Sequence, residues 1–425
     1  MNQPVGKRKF SYGWVVVFAG MLITLVIYGI VASLAVFFKP LLQSFQWSRG
    51  QTSLIWGANW ITFGVLSLLI GPLTDRFGAR RTMLVGGGLF SLGILFSSQA
   101  TSLWHLLLLF GILGAVGRAA MWTPLVATVA RWFDQRRGLA LGLAQSYQIG
   151  TFVIAPLVAW LVTAYGWQRA FMVLGVLALV TVIPLTLLIR EPPGTGASAP
   201  DELPTARPSH DFSLSQAAGT RAFWSMKLMV LGCCVCHSFL LLHLVNYLTD
   251  DGISITRAAT VFGIMAGSGA LGKIANGVCA DRFGAKPAIA AFLFVQGLGV
   301  LLFLRPDQLW LLYPGVVVWG MSQGGPMTCY PMLYLEYFGK RHLATVMSGF
   351  YATAGLGMAL GGLLGGILYD ATDGYQLSFT ISLIGGVGAA LIATTLQPPY
   401  RPWAAERGGI EEEPAPVQKS IPEVI

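Results

Sequence analysis

Two cations stand where the chain is otherwise apolar. Arg118 lies in GAVGRAAMW, residues 114–122, inside an apolar run from Leu103 to about Ala130. Arg131 closes that run thirteen residues later, which on a helix puts Arg118 roughly 20 Å deep. A charge at such depth costs about 2.5–3.5 kcal/mol on insertion scales, so it is a site candidate by default. Glycines at 114 and 117 leave room beside it, and a guanidinium presents a planar fork of donors that matches a carboxylate. The chemistry suggested is capture of an organic anion; the alternative is an arginine bonded to a neighbouring helix. Lys273, in GALGKIANGV, is the second such cation, about 12 Å from Asp281 along one helix. Its alternative is snorkelling to the membrane edge on a long stem. Asn276, three residues on, approximately shares its helix face.

Further polar groups can complete such a site: Tyr28 in the first apolar run, Tyr147 and Gln148 in the fifth, and Gln323, Tyr330 and Tyr334 in the tenth. His243, close to the far end of the seventh run, belongs to the one residue type that titrates near neutrality. It and Lys273 are the candidate proton carriers, while His237 is a candidate for an interhelical hydrogen bond. Each of these residues has helix packing as its alternative role. No Asp or Glu falls at the middle of an apolar run: Asp250, Asp251, Asp370 and Asp373 sit at outer ends and Glu336 near an inner end. A cationic substrate needs a buried counter-ion, so buried cations without buried anions favour an anionic substrate. No nucleophile–base pair, metal-ligand cluster or phosphate loop is visible, so no enzyme activity, cofactor, metal or ATP coupling is expected. The five cysteines, at 233, 234, 236, 279 and 329, all lie in apolar runs and imply no pairing.

The elements that must position these residues are membrane helices. Of 425 residues, 55% are hydrophobic and 11% charged, against about 25% charged in soluble domains; mean hydropathy is +0.66. The 52 glycines suit closely packed membrane helices. The net charge of +9 is scattered in short clusters between apolar runs, which reads as a topology signal and not as nucleic-acid binding. Twelve runs are long enough to span, at 12–38, 51–73, 82–100, 104–130, 138–164, 168–189, 223–248, 257–280, 286–304, 309–337, 343–369 and 376–396. Lys7-Arg8-Lys9 precedes the first, which is too long for a signal-peptide core. Lysines and arginines gather in alternate loops: Lys7 to Lys9; Arg76, Arg80 and Arg81; Arg131, Arg136 and Arg137; Arg282 and Lys286; Lys340 and Arg341. The opposite loops carry few, so both termini are expected in the cytoplasm of a cell (inner) membrane protein.

The chain repeats itself. GPLTDRFGARR from Gly71 is echoed by GVCADRFGAKP from Gly277, 206 residues later. RWFDQRRGLALGLAQSYQIG from Arg131 is echoed by EYFGKRHLATVMSGFYATAG from Glu336, and Gln323 is the counterpart of Arg118, both at separation 205. Two six-helix halves follow: residues 1–190, a linker at 191–222 with a short interfacial helix, residues 223–397, and a disordered tail at 398–425. Parallel halves of this kind place a substrate site near the midplane where they meet. The glycines that open the first echo are expected to allow close helix packing or a tight turn. Asp75, Arg76, Asp281 and Arg282 then lie at the cytoplasmic boundary, with Arg136 or Arg137 and Lys340 or Arg341 as gating partners; the alternative is a solvated, topology-setting loop.

These loops resemble the characteristic G-x-x-x-D-R-x-G-x-R of the major facilitator superfamily. Within it, SYGWVVVF at Ser11, RWFDQRRGLALGLAQS at Arg131 and HLVNYLTDDGIS at His243 resemble the monocarboxylate transporter group and its oxalate/formate relatives. The resemblance implies an all-α membrane protein of twelve transmembrane helices in two pseudo-symmetric halves. It also implies a substrate-binding arginine at the position of Lys273, where the charge is kept and the bidentate fork lost. An aspartate used for proton coupling in some members falls at Gly269 here, so that carboxylate is missing. The expectation is a secondary transporter moving a small monocarboxylate, lactate- or pyruvate-like, with a proton, acting as a monomer in the bilayer by alternating access. The alternatives are an oxalate/formate-type antiporter, an exporter of apolar compounds and a carboxylate-binding membrane sensor.

Overall fold

The computed structural model describes residues 12–133, 137–144, 146–192, 212–339 and 343–399. The expected tail and most of the expected linker lie outside the described residues, as do Arg136, Lys340 and Arg341 and the side chains of Asp75 and Arg137. All twelve predicted runs are mainly helical where described, and no strand occurs among the described residues. In chain order they are α1 (Tyr12–Phe45), α2 (Arg49–Phe77), α3 (Ala79–Ser97), α4 (Leu103–Trp132), α5 (Arg137–Ala144 and Gln148–Tyr165) and α6 (Trp167–Leu187). The second half holds α7 (Arg221–Asp250), α8 (Ile255–Phe283), α9 (Ala285–Phe303), α10 (Leu309–Gly324 and Pro326–Phe338), α11 (Leu343–Thr372) and α12 (Gln376–Thr395). A short helix, Leu214–Ala218, precedes α7 and opens on a capping box between Ser213 and Gln216.

Ten stretches are long and apolar enough to cross a membrane among the described residues. The two that fall short are α3, which opens on Arg80 and Arg81 and carries three consecutive glycines, and α10. The sequence reads as one continuous helix at 309–337, but α10 is two pieces of 16 and 13 residues. The break has a local cause: Gly324-Gly325 loosens the backbone and Pro326 cannot donate back into the preceding turn. Similarly, α1 is interrupted at Ser33 and runs on to Phe45, past the expected end at Phe38.

The repeat is visible in the chain path. α2 turns into α3 at Gly78 (φ +81°) and α8 turns into α9 at Gly284 (φ +92°), both in a conformation that favours glycine. The glycines expected to pack or turn, Gly71 and Gly277, do neither here. Each lies inside a helix, and a Cβ on either would meet no atom within 4 Å.

The halves meet along α2 against α11, α5 against α8, and α1 against α7. The contacts gather at the face opposite the basic loops and reach to mid-depth. There Gly355 of α11 crosses α2 so closely that a Cβ would lie 2.8 Å from the Trp60 carbonyl oxygen. At the opposite face Asp250 of α7 pairs with Lys39 (2.9 Å) and with Arg49 (2.6 Å). Asp370 of α11 accepts from the backbone N–H of Arg49 (2.9 Å) and Gly50 (2.7 Å), so one half caps the N-terminus of a helix in the other. At the basic face the hydrogen bonds seen among the described residues include ties within a half: Tyr12 hydroxyl to Leu188 carbonyl (2.9 Å), Trp132 indole to Arg190 carbonyl (2.7 Å), Lys286 amine to Leu396 carbonyl (2.6 Å). The molecule is closed at the face opposite its basic loops.

A carboxylate at a helix N-terminus contributes about 0.3–1 kcal/mol when exposed and up to about 2 kcal/mol when partly buried. Asp370→Ala is therefore expected to part the halves at this face. Electron–electron resonance between spin labels at Gln43→Cys and Thr256→Cys should gain a longer-distance population relative to the unaltered Asp370 protein.

Candidate functional site

Arg118 is placed by its neighbour. A Cβ at Gly117 would collide with the α3 backbone at Gly86 and Phe90, so only glycine lets α4 seat against α3 there. That contact turns Arg118 toward α2, where its guanidinium carbon lies 4.3 Å from the ring centre of Trp60 and 4.1 Å from that of Phe63. The residue is 4% exposed. Nε and Nη2 are buried without a hydrogen-bond partner, as is the indole Nε1 of Trp60. Nε and Nη2 form the guanidinium edge that takes a carboxylate through two parallel bonds. Three N–H donors of two touching side chains are thus buried without an acceptor among the described residues. Contact with aromatic faces returns about 0.5–2 kcal/mol, less than the roughly 2.5–3.5 kcal/mol cost of the charge. The site is undercompensated as it stands.

Lys273 comes from the other half. It is half-buried, with its ammonium 3.9 Å from the ring centre of Tyr147. Tyr147 contacts Tyr28 of α1 at 4.3 Å and Trp122 of α4 at 5.2 Å. Tyr28 and Tyr147 are both within electrostatic reach of Arg118. Arg118, Lys273, Tyr28 and Tyr147 therefore form one cluster across the boundary between halves. Gln148 and Gln323 close it toward the sealed face: their Nε2 atoms lie 2.8 Å and 2.6 Å from where a Cβ on Gly269 would stand. Two amides occupy the space an acidic side chain at 269 would need, which gives the departure from the family pattern a steric reason.

Other predicted residues do not join the cluster. Asn276 is buried with both amide atoms unpartnered, but it faces Gly325 of α10 while Lys273 faces α5. Three residues advance a helix by about 300°, and over a long side chain that offset separates two neighbours. Tyr330 and Tyr334 are fully buried against Phe350, at 5.1 Å and 6.3 Å, in the packing of α10 on α11. His243 sits in the network at the sealed face: Nε2 is 2.8 Å from the Gly362 carbonyl, and Nδ1 is 3.2 Å from the Tyr375 hydroxyl, which Arg49 also reaches. His237 is buried beside Trp319, 6.1 Å between ring centres, and neither ring nitrogen has a partner. At the basic face Arg76, Asp281 and Arg282 are exposed; Arg76 and Arg282 each lie over the phenylalanine that follows, Phe77 at 5.3 Å and Phe283 at 5.5 Å. Their expected partners fall outside the described residues.

Further side chains carry weaker signals in the sequence. Trp56, Trp60 and Phe63 repeat at the spacing of one helix face, a signal that was available. Lys227 is a further membrane cation, 9% exposed on α7, with its ammonium unpartnered and 4.9 Å from the Phe223 ring. Its position near the start of an apolar run disguises it as a boundary charge.

A two-half bundle of twelve membrane helices, with a buried arginine and a half-buried lysine where the halves meet, has the architecture of a membrane transporter. The profile of the Major Facilitator Superfamily matches residues 16–347 and 244–424. The chain is 29% identical over 393 residues to monocarboxylate transporter 13 of Bos taurus, covering 90% of this chain and 89% of that one. It is 31% identical over 409 residues to monocarboxylate transporter 11 of Homo sapiens, covering 89% and 82%. Among solved structures it is similar to a bacterial homolog of the human lysosomal transporter Spinster in an inward-facing and occupied conformation, with TM-score 0.76, 17% identity, and coverage of 93% and 100%. The chain belongs to the Major Facilitator Superfamily and, within it, to the monocarboxylate transporter family.

The imbalance at Arg118 predicts an unusual substitution. Arg118→Met keeps the bulk and removes the uncompensated charge. The ligand-free protein should then unfold a few degrees higher, a gain of roughly 0.5–3 kcal/mol from the difference of the two terms above. Thermal unfolding in detergent reads this, and a lower midpoint would mean that Arg118 is structurally satisfied.

Proposed function

We propose that the protein is a secondary transporter that moves a monocarboxylate together with a proton by alternating access. The observation that carries this reading is the empty donor edge of Arg118: Nε and Nη2, with the Trp60 indole beside them, buried and without an acceptor. A carboxylate is the group that fits that edge. With the basic loops in the cytoplasm of the cell membrane, as their charge favours, the closed face is external and the conformation is inward-facing. Substrate and proton enter a site walled by both halves, and their binding offsets the charge that hydrocarbon penalises. Lys273, beside the site, is the proposed proton carrier; His243, held in the external network, is the second candidate. The loops bearing Asp75, Arg76 and Arg137, and Asp281, Arg282 and Arg341, are proposed to lock the internal face in the opposite state. The unit is proposed to act as a monomer. Exchange of organic anions without protons is a second reading, favoured by the presence of two cations on one aromatic cluster.

The test uses purified protein in liposomes with a pH dye inside and empty liposomes as the control. Addition of lactate, pyruvate or acetate should acidify the interior in a protein-dependent way, and Arg118→Gln should lower that rate at least about tenfold, the loss of one buried charged hydrogen-bonding pair. Exchange of labelled oxalate without acidification would replace symport by antiport. Silence in both modes from folded protein would overturn the carboxylate reading.

A further inference from the structure

The walls around Arg118 carry more aromatic surface than a carboxylate alone requires. Trp60 and Phe63 cover the guanidinium, and Tyr28, Tyr147 and Trp122 form a continuous wall beside it. Tyr351 of α11 lies next to Trp122 from the other half. Trp60, Tyr28, Tyr147, Trp122 and Tyr351 are only half-buried, although they lie on the helices that line the boundary between halves. Lipid contact does not account for this opening at Tyr147, because Tyr147 meets Lys273 across that boundary. Tyr147 thus keeps part of its surface uncovered at a contact between the halves, where a site shared by both would lie.

An ammonium or guanidinium resting on a ring marks an electron-rich face, and such a face also stacks with another ring. The faces of Trp60, Phe63 and Tyr147 that meet the cations are taken; when a carboxylate takes the donor edge of Arg118, the uncovered parts of Trp122, Tyr28 and Tyr147 remain for the rest of the substrate. A methyl or hydroxyethyl group covers little of them, whereas a planar ring covers a whole face. We propose that the site selects monocarboxylates that carry an aromatic ring, such as an arylacetate, with the carboxylate on Arg118 and the ring against Trp122 and Tyr147. This rests on the carboxylate reading above and names the substrate class within it.

The test is isothermal calorimetry on the full-length protein in lipid nanodiscs, with empty nanodiscs subtracted. The ligands are phenylacetate, cyclohexylacetate, lactate and 2-phenylethanol. Phenylacetate should bind about tenfold tighter than lactate, a difference of about 1.4 kcal/mol. It should also bind tighter than cyclohexylacetate, which has similar bulk and no π face. Trp122→Leu should lower the phenylacetate-to-lactate ratio and Trp122→Phe should keep it, with Tyr147→Leu as the second variant if the first does not fold. Equal binding of lactate or of cyclohexylacetate overturns the aromatic selection and leaves the carboxylate reading standing. Equal binding of 2-phenylethanol, or no binding by any carboxylate, overturns both.

Discussion

A guanidinium buried in a membrane with donors and no acceptor is the constraint around which the rest of this structure is arranged. Arg118 cannot lose its proton in practice, and in hydrocarbon it cannot find water. The faces of Trp60 and Phe63 stand close to it and recover part of its cost. The remainder is a standing demand for an anion, made at a depth that both halves share. Gly117 makes the placement possible by letting α4 seat on α3, and the pairing of Tyr147 with Lys273 carries the same demand across to the second half.

The closure of one face follows a different logic. It is built from several weak links: two partly exposed ion pairs, a helix cap supplied from the other half, and a histidine held by a carbonyl and a tyrosine hydroxyl. Partly exposed ion pairs are worth about 1 kcal/mol or less each, and the cap is of similar size. Reversing a two-state balance from 1:99 to 99:1 takes about 5.5 kcal/mol. A handful of such links holds one state, and discharge of a penalty the size of that at Arg118 is a substantial fraction of what releases it. At the basic face, Tyr12, Trp132 and Lys286 each tie to a carbonyl of their own half.

Much of this was legible in the sequence because membranes enforce simple rules. Twelve apolar runs and a repeat at 205 to 206 residues announce the bundle and its halves. Arg118 stands out because hydrocarbon makes any charge conspicuous. The breaks at Ser33 and Gly325 were hidden, since an apolar run does not report where its helix is interrupted. The cap that Asp370 lends to Gly50 spans 320 residues of chain, and no local pattern announces a partner so distant. Asn276 and Lys273 were grouped by helical spacing, yet the helices packed on either side draw them apart. Gly71 and Gly277 suit close packing or a tight turn, yet each lies inside a helix with open space where a Cβ would stand.

The most direct measurement of the central claim is the nitrogen-15 spectrum of arginine side chains in the lipid-embedded protein. The Nε–H resonance of Arg118 can be assigned by its loss in Arg118→Lys. Addition of phenylacetate or lactate should move that resonance downfield, as a carboxylate takes the Nε and Nη2 edge, while the corresponding methyl esters leave it in place. A resonance that ignores carboxylates at concentrations that saturate transport would contradict the account, because it would place the anion elsewhere and leave Arg118 a structural charge.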